Sequence, residues 1–173
     1  MQEEREQRRL GVGMQAIAWL ILMVLLVAYF SDLLDRQHNP NQRIDTVIED
    51  GVREVVLQRN RFGHYVTSGT INGEAVVFML DTGATGVAIP EAIAERLGLV
   101  RGRAFRTQTA NGPSTSWATR LDRVSIGDIS LDNVSAGITP GLQIDEVLLG
   151  MSFLKHIEFT QRGDQLILRQ YRE

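Results

Sequence analysis

The 173-residue chain contains no cysteine and only three histidines, His38, His64 and His156, which are widely scattered. The first absence excludes disulfides, thiolate catalysis and cysteine-ligated zinc or iron–sulfur centres. Histidines so far apart offer no ligand cluster, so no metal site is expected. A basic surplus is missing as well: 18 Lys and Arg stand against 21 Asp and Glu, for a formal net charge of −3. Without cationic excess to neutralise phosphates, nucleic acid is not an expected partner. The sequence shows no long internal repeat and no low-complexity tract. Its length sets one domain as the default, with room for an appendage.

The appendage is at the N-terminus. From Leu10 to Phe30, in "LGVGMQAIAWLILMVLLVAYF", no residue is charged, and Gln15 is the strongly polar exception near one end. At about 1.5 Å per helical residue, such a run matches a hydrocarbon core of about 30 Å. Trp19 and Tyr29 suit interfacial anchors. A buried core helix would carry a polar stripe, and a signal peptide would have a shorter apolar run followed by an A-x-A site. The sequence therefore predicts an uncleaved transmembrane helix over residues 10–30. Arg5, Arg8 and Arg9 precede it, whereas Arg36 and Arg43 follow. The positive-inside rule then places residues 1–9 in the cytoplasm and the C-terminal part across the membrane. In a bacterium this gives a single-pass inner-membrane protein with a periplasmic domain.

Residues 31–52 are polar and poor in aromatics and read as a juxtamembrane linker. Residues 53–173 read as one mostly β domain. "REVVLQ" is a strand, and "GHYVTSGTINGEAVVFML" is a hairpin with Asn72-Gly73 as its turn. Pro90, the Ile93/Leu97 pair and Gly98 mark a short helix. Val124 and Ile126, then Ile129 and Leu131, alternate as half-buried strands do, around a turn near Gly127-Asp128. "EVLLG" reads as a buried strand, "MSFLKHI" as a second short helix, and "EFT", "QRGD" and "QLILRQ" as a closing hairpin.

Within this pattern one charge is oddly placed. In "VVFMLDTGATGVAIP", residues 76–90, Asp81 stands between two apolar runs, Val76–Leu80 and Val87–Ile89. Asp-Thr-Gly alone is ordinary turn chemistry. A carboxylate beside buried strands, however, costs several kcal/mol unless it is paired or hydrogen-bonded. Strands on both sides suit delivery of that carboxylate to the floor of a cleft.

The segment "FMLDTGAT" resembles the active-site loop of retropepsin-like aspartic proteases. The later "VLLG" at 147–150, followed by "MSFLKHI", resembles their second signature. With "IPEAIAERLGL" and "TANG", the resemblance to bacterial, membrane-anchored members runs from about residue 60 to 170. It implies a closed β-barrel of the acid-protease half type with one or two short helices. It implies an endopeptidase acting on polypeptides without a cofactor, in which two aspartates share one proton and activate a water. The chain has a single Asp-Thr-Gly; "GDQ", "LDN" and "IDE" lack the Thr/Ser-Gly. The resemblance therefore implies a homodimer in which catalytic Asp81 meets Asp81 of a second copy.

In the same way, Thr82 is expected to bond across the two-fold axis, Gly83 to let backbone approach substrate, and Ala84 and Thr85 to line or brace the loop. Leu148 and Leu149 are expected to pack beside that loop, with Gly150 permitting close approach. "TQTANGPSTSW" lies where a flap should be, with Ala110, Asn111 and Gly112 as substrate contacts. Pro113 cannot donate the bond that closes a two-residue Asn-Gly turn, so a wider loop over 110–114 is expected there. "GMSFL" begins like the nucleophile elbow of serine hydrolases but has Leu154 in place of the final glycine. The competing function is a non-catalytic module of the same fold that binds a peptide or protein in the cell envelope.

Overall fold

The structure, a computed structural model, describes residues 2–109 and 112–171. Two compact units are present, one ending at Gln37 and the other running from His38 to Glu173. The first is helical: α1 spans Gln2–His38, and its last residue, His38, belongs to the second unit. Its segment Gly13–His38 is long and apolar enough to cross a membrane. The large apolar side chains described between Met14 and Phe30 are exposed. The helix continues past Phe30, helped by an i,i+4 pair of Asp32 and Arg36 at 2.9 Å.

The second unit begins well ahead of Arg53. Part of the stretch read as linker is folded: β1 (Thr46–Glu49) pairs antiparallel with β2 (Val52–Gln58), and Asn39 and Asn41 are buried. Next come β3 (Tyr65–Ile71), β4 (Glu74–Leu80), β5 (Val87–Pro90) and α2 (Glu91–Arg96). After them run β6 (Ala104–Thr109), β7 (Gly112–Ile126) and β8 (Ile129–Thr139). The chain ends with β9 (Val147–Leu149), α3 (Met151–Leu154), β10 (Glu158–Arg162) and β11 (Gln165–Tyr171).

Seven strands lie in the order β3-β4-β9-β5-β8-β7-β6, and β3 pairs again with β7, which closes the first six into a barrel. A four-stranded sheet, β1-β2-β11-β10, packs with it. One core serves both sheets: Val55, Leu57 and Leu168 from the smaller join Phe78, Leu121, Ile126 and Leu149 from the larger, all fully buried. Burying each such side chain stabilises the fold by about 1.5–3 kcal/mol.

Local chemistry sets the elements. Asn72 and Gly73 both take positive φ, 52° and 86°, as a type I′ hairpin turn requires. Gly98, at φ 63°, ends α2 by donating to Glu95 O at 3.1 Å.

The β6–β7 hairpin corrects the expected wide loop. Its register sets Thr109 opposite Gly112 and Gln108 opposite Pro113, so only residues 110 and 111 connect the strands. Next to a two-residue connection the first pair is hydrogen-bonded and the second is not. Pro113 falls in the second pair, and β8 begins pairing with β7 only at Trp117. Its missing N–H is thus not called on.

Candidate active site

Asp81 follows directly on β4 and begins the turn that leads to β5. What holds this turn is β9. Phe78, Met79 and Leu80 pair in parallel with Val147, Leu148 and Leu149, while Ala88 pairs antiparallel with Leu148. A strand from late in the chain therefore fills the gap between the two strands that flank Asp81. The Asp81 N–H donates to Leu149 O at 3.2 Å, completing the ladder at the site itself. The carboxylate Oδ1 accepts the Gly83 N–H at 2.9 Å, and the Asp81 carbonyl accepts the Ala84 N–H at 3.2 Å.

The turn is presented outward. Asp81 and Ala84 are half-buried, whereas Thr82, Gly83 and Thr85 are exposed. A Cβ on Gly83 would stand 3.1 Å from Asp81 Oδ1, so glycine keeps the carboxylate uncrowded.

The second signature braces the same loop. Gly150 is buried, and a Cβ there would come within 2.3 Å of Gly86 O and 2.5 Å of Ala84 O. Only glycine permits this approach. Leu149 is fully buried and Leu148 half-buried.

Two contacts were not legible in the sequence. Ser152, the residue that mimicked a serine nucleophile, uses Oγ to accept the Val87 N–H at 3.0 Å and to donate to Ser135 O at 3.0 Å. It thus ties β5 to β8 beside the loop. Arg101 lays its guanidinium over Trp117 at 4.9 Å and pairs with Glu91 and Glu95, joining α2 to the β6–β7 hairpin. Neither spacing nor motif marks these pairs, because each joins residues of different elements that only the fold brings together.

Of the expected flap residues, Ala110 and Asn111 lie outside the described residues. Gly112 starts β7 at φ 107°. Among the described residues no three His, Asp or Glu side chains gather as a metal site. A depression of about 380 Å³, lined by Arg53, Arg123, Asp128 and Ser130 among others, includes no residue of the Asp81 loop.

A closed barrel in which a late strand backs an Asp-Thr-Gly turn defines the class: a retropepsin-like aspartic protease domain. Residues 67–156 match the family model described as "gag-polyprotein putative aspartyl protease", and the chain belongs to this family. It is similar to a crystal structure of a retropepsin-like aspartic protease from Rickettsia conorii. The identity is 31% and the TM-score 0.59, covering 74% of this chain and 96% of that one. It is also 33% identical over 179 residues to an uncharacterised Sinorhizobium protein encoded in the region 5′ of cobV, covering 95% of this chain and 77% of that protein. An uncharacterised protein of Rickettsia prowazekii is 24% identical over 165 residues, covering 91% and 71%.

Proposed function

We propose that this chain is a membrane-anchored aspartic endopeptidase whose active site forms between two copies. The observation that carries this reading is the Asp81 turn: one carboxylate, backed by Leu149, aimed by the Gly83 N–H, and flanked by exposed Thr82 and Gly83. A turn with Asp81 half-buried and Thr82 and Gly83 exposed suits a two-fold contact with its own copy, because such an interface is self-complementary.

In the paired state the two Asp81 carboxylates share one proton, since neighbouring like charges cannot both ionise. The unprotonated carboxylate takes a proton from a water held between them. That water's oxygen attacks the peptide carbonyl carbon. The protonated carboxyl gives its proton to the carbonyl oxygen. Collapse of the tetrahedral intermediate breaks the C–N bond and sends a proton to the leaving nitrogen. Thr82 bonds across the two-fold axis, Ala84 and Thr85 line the loop, and residues 110–112 close over the substrate. The substrate is a polypeptide.

The apolar helix supports a single-pass anchor over residues 10–30, and Arg5, Arg8 and Arg9 ahead of it support residues 1–9 cytoplasmic and the folded unit periplasmic. Confinement to a membrane raises the local concentration of chains, which favours pairing.

The test is incubation of the full chain, parental and Asp81→Ala, with a diverse peptide pool, read by mass spectrometry between about pH 3 and 8. Cleavage by the parent alone supports the proposal. Equal cleavage by both proteins sinks it.

A further inference from the structure

The residues that follow the apolar helix read as a polar spacer, yet the structure knots them into the domain. Asn41 is 5% exposed. Its side chain donates to Gln58 O at 2.9 Å and Val66 O at 2.7 Å, and accepts the Gln58 N–H at 2.7 Å. Its carbonyl accepts the Ser68 N–H at 3.1 Å. Asn41 thereby bridges β2 of the small sheet and β3 of the barrel. Asn39, equally buried, donates to Ser68 Oγ at 3.1 Å and accepts the Asn41 N–H at 3.0 Å.

His38 completes this knot and extends it toward the site. Its carbonyl accepts the Asn60 side-chain N–H at 2.9 Å. Its ring Nε2 is bonded to a carboxylate oxygen of Glu146. Glu146 is 6% exposed and immediately precedes β9, the strand whose Leu149 carbonyl holds the Asp81 N–H. A buried carboxylate stripped of its partner is strongly unfavourable.

We propose that His38 and Glu146 are positioning residues for the Asp81 turn: the last residue of α1, through one side-chain hydrogen bond, sets the strand that backs the candidate catalytic carboxylate. The chemistry passes through short steps. His38 fixes Glu146, Glu146 leads into β9, and β9 with the glycine after it supplies Leu149 O and Gly150 to residues 81–86. The effect on turnover rests on the reading of Asp81 as the catalytic group. The effect on the loop's order does not.

The experiment uses the full chain in detergent or nanodiscs, as parent, His38→Ala, His38→Gln and Glu146→Gln. Two quantities are read: kcat and KM on a cleaved peptide, and amide hydrogen exchange resolved along the chain. For His38→Ala we expect kcat to fall about 10-fold or more with KM changed less than about twofold, the pattern of a lost positioning interaction. Exchange at amides 81–84 and 149–154 should rise about 10-fold relative to those of β7 and β8, a local opening rather than a global one. Glu146→Gln keeps an acceptor oxygen for the ring N–H and should hold both readouts near the parent's; His38→Gln should fall between Glu146→Gln and His38→Ala. The proposal is overturned if exchange at these amides is unchanged, or if it rises uniformly across the domain. It is also overturned if Glu146→Gln is no better than His38→Ala. If no protein, parent included, cleaves any peptide, the protease reading fails while the exchange pattern alone still decides this inference. Should His38→Ala not fold, His38→Gln and Glu146→Gln are judged by the same criteria.

Discussion

The Met151 N–H donates to the carbonyl of Ala84 across 2.9 Å, joining the first residue of α3 to the turn that carries Asp81. The two residues are far apart in sequence, and the contact exists only because Gly150 lets the chains touch. Gly150→Ala puts a methyl group against two carbonyl oxygens of that turn. We expect a loss of about 1–3 kcal/mol or more, as for other overpacked sites. Chemical denaturation of the full chain measures it, with peptide cleavage lost in step.

Asp81→Asn keeps an oxygen for the Gly83 N–H and should leave the fold intact while cleavage falls at least about 10²-fold, the scale of general acid–base contributions. The proposed dimer makes a sharper forecast. When parent and Asp81→Asn are mixed in equal amounts and allowed to re-pair, roughly a quarter of random pairs are fully parental. Activity should drop toward that share rather than to one half. Activity that scales linearly with the parental fraction would show that each chain acts alone.

Ser152→Ala removes an acceptor for the Val87 N–H and a donor to Ser135 O. Each unsatisfied group costs about 1–3 kcal/mol, so the midpoint of unfolding should fall. Activity per folded molecule should persist, because the hydroxyl is occupied in bracing two strands. Complete loss of cleavage in a well-folded Ser152→Ala protein would instead mark a nucleophile.

At the C-terminal strand, Tyr171 donates its hydroxyl to Glu158 at 2.6 Å, and this bond raises its pKa above the ordinary value near 10. The neutral phenol is thus favoured in the fold. Its contribution is complete below about pH 10 and is lost as pH rises through the folded value. Thermal unfolding between pH 8 and 11 should show the parent losing stability more steeply than Tyr171→Phe. Parallel curves would refute the assignment.

Much of this architecture could be read from residues alone because its signals are local. Asn72-Gly73 dictates its own turn, and Asp81 is conspicuous because the strands around it are apolar. The stretch before Arg53 was misjudged for a physical reason. β1 offers only Val47 and Ile48 as apolar residues, both exposed, so no buried alternation announces a strand. Asn39 and Asn41 have the composition of a loop, yet the Asn41 amide imitates strand backbone toward β2 and β3 and Asn39 bonds Asn41 and the Ser68 hydroxyl. The loop expected over 110–114 is narrower than Pro113 suggested, because the ladder still sets Gln108 opposite Pro113 and Thr109 opposite Gly112. Gly150 and Ser152 carried recognisable motifs, but their partners only become visible once β9 lies between β4 and β5.

That placement of β9 also has a consequence in time. When ribosomal synthesis has passed Asp81, residues 82–149 are still to be made, and the slot between β4 and β5 is vacant until they arrive. At about 5–20 residues per second, the interval is roughly 3–14 s. During it the nascent chain has the carboxylate but not the strand that holds it. A site of this design therefore stays incomplete while its own chain is being born, because topology withholds the last piece.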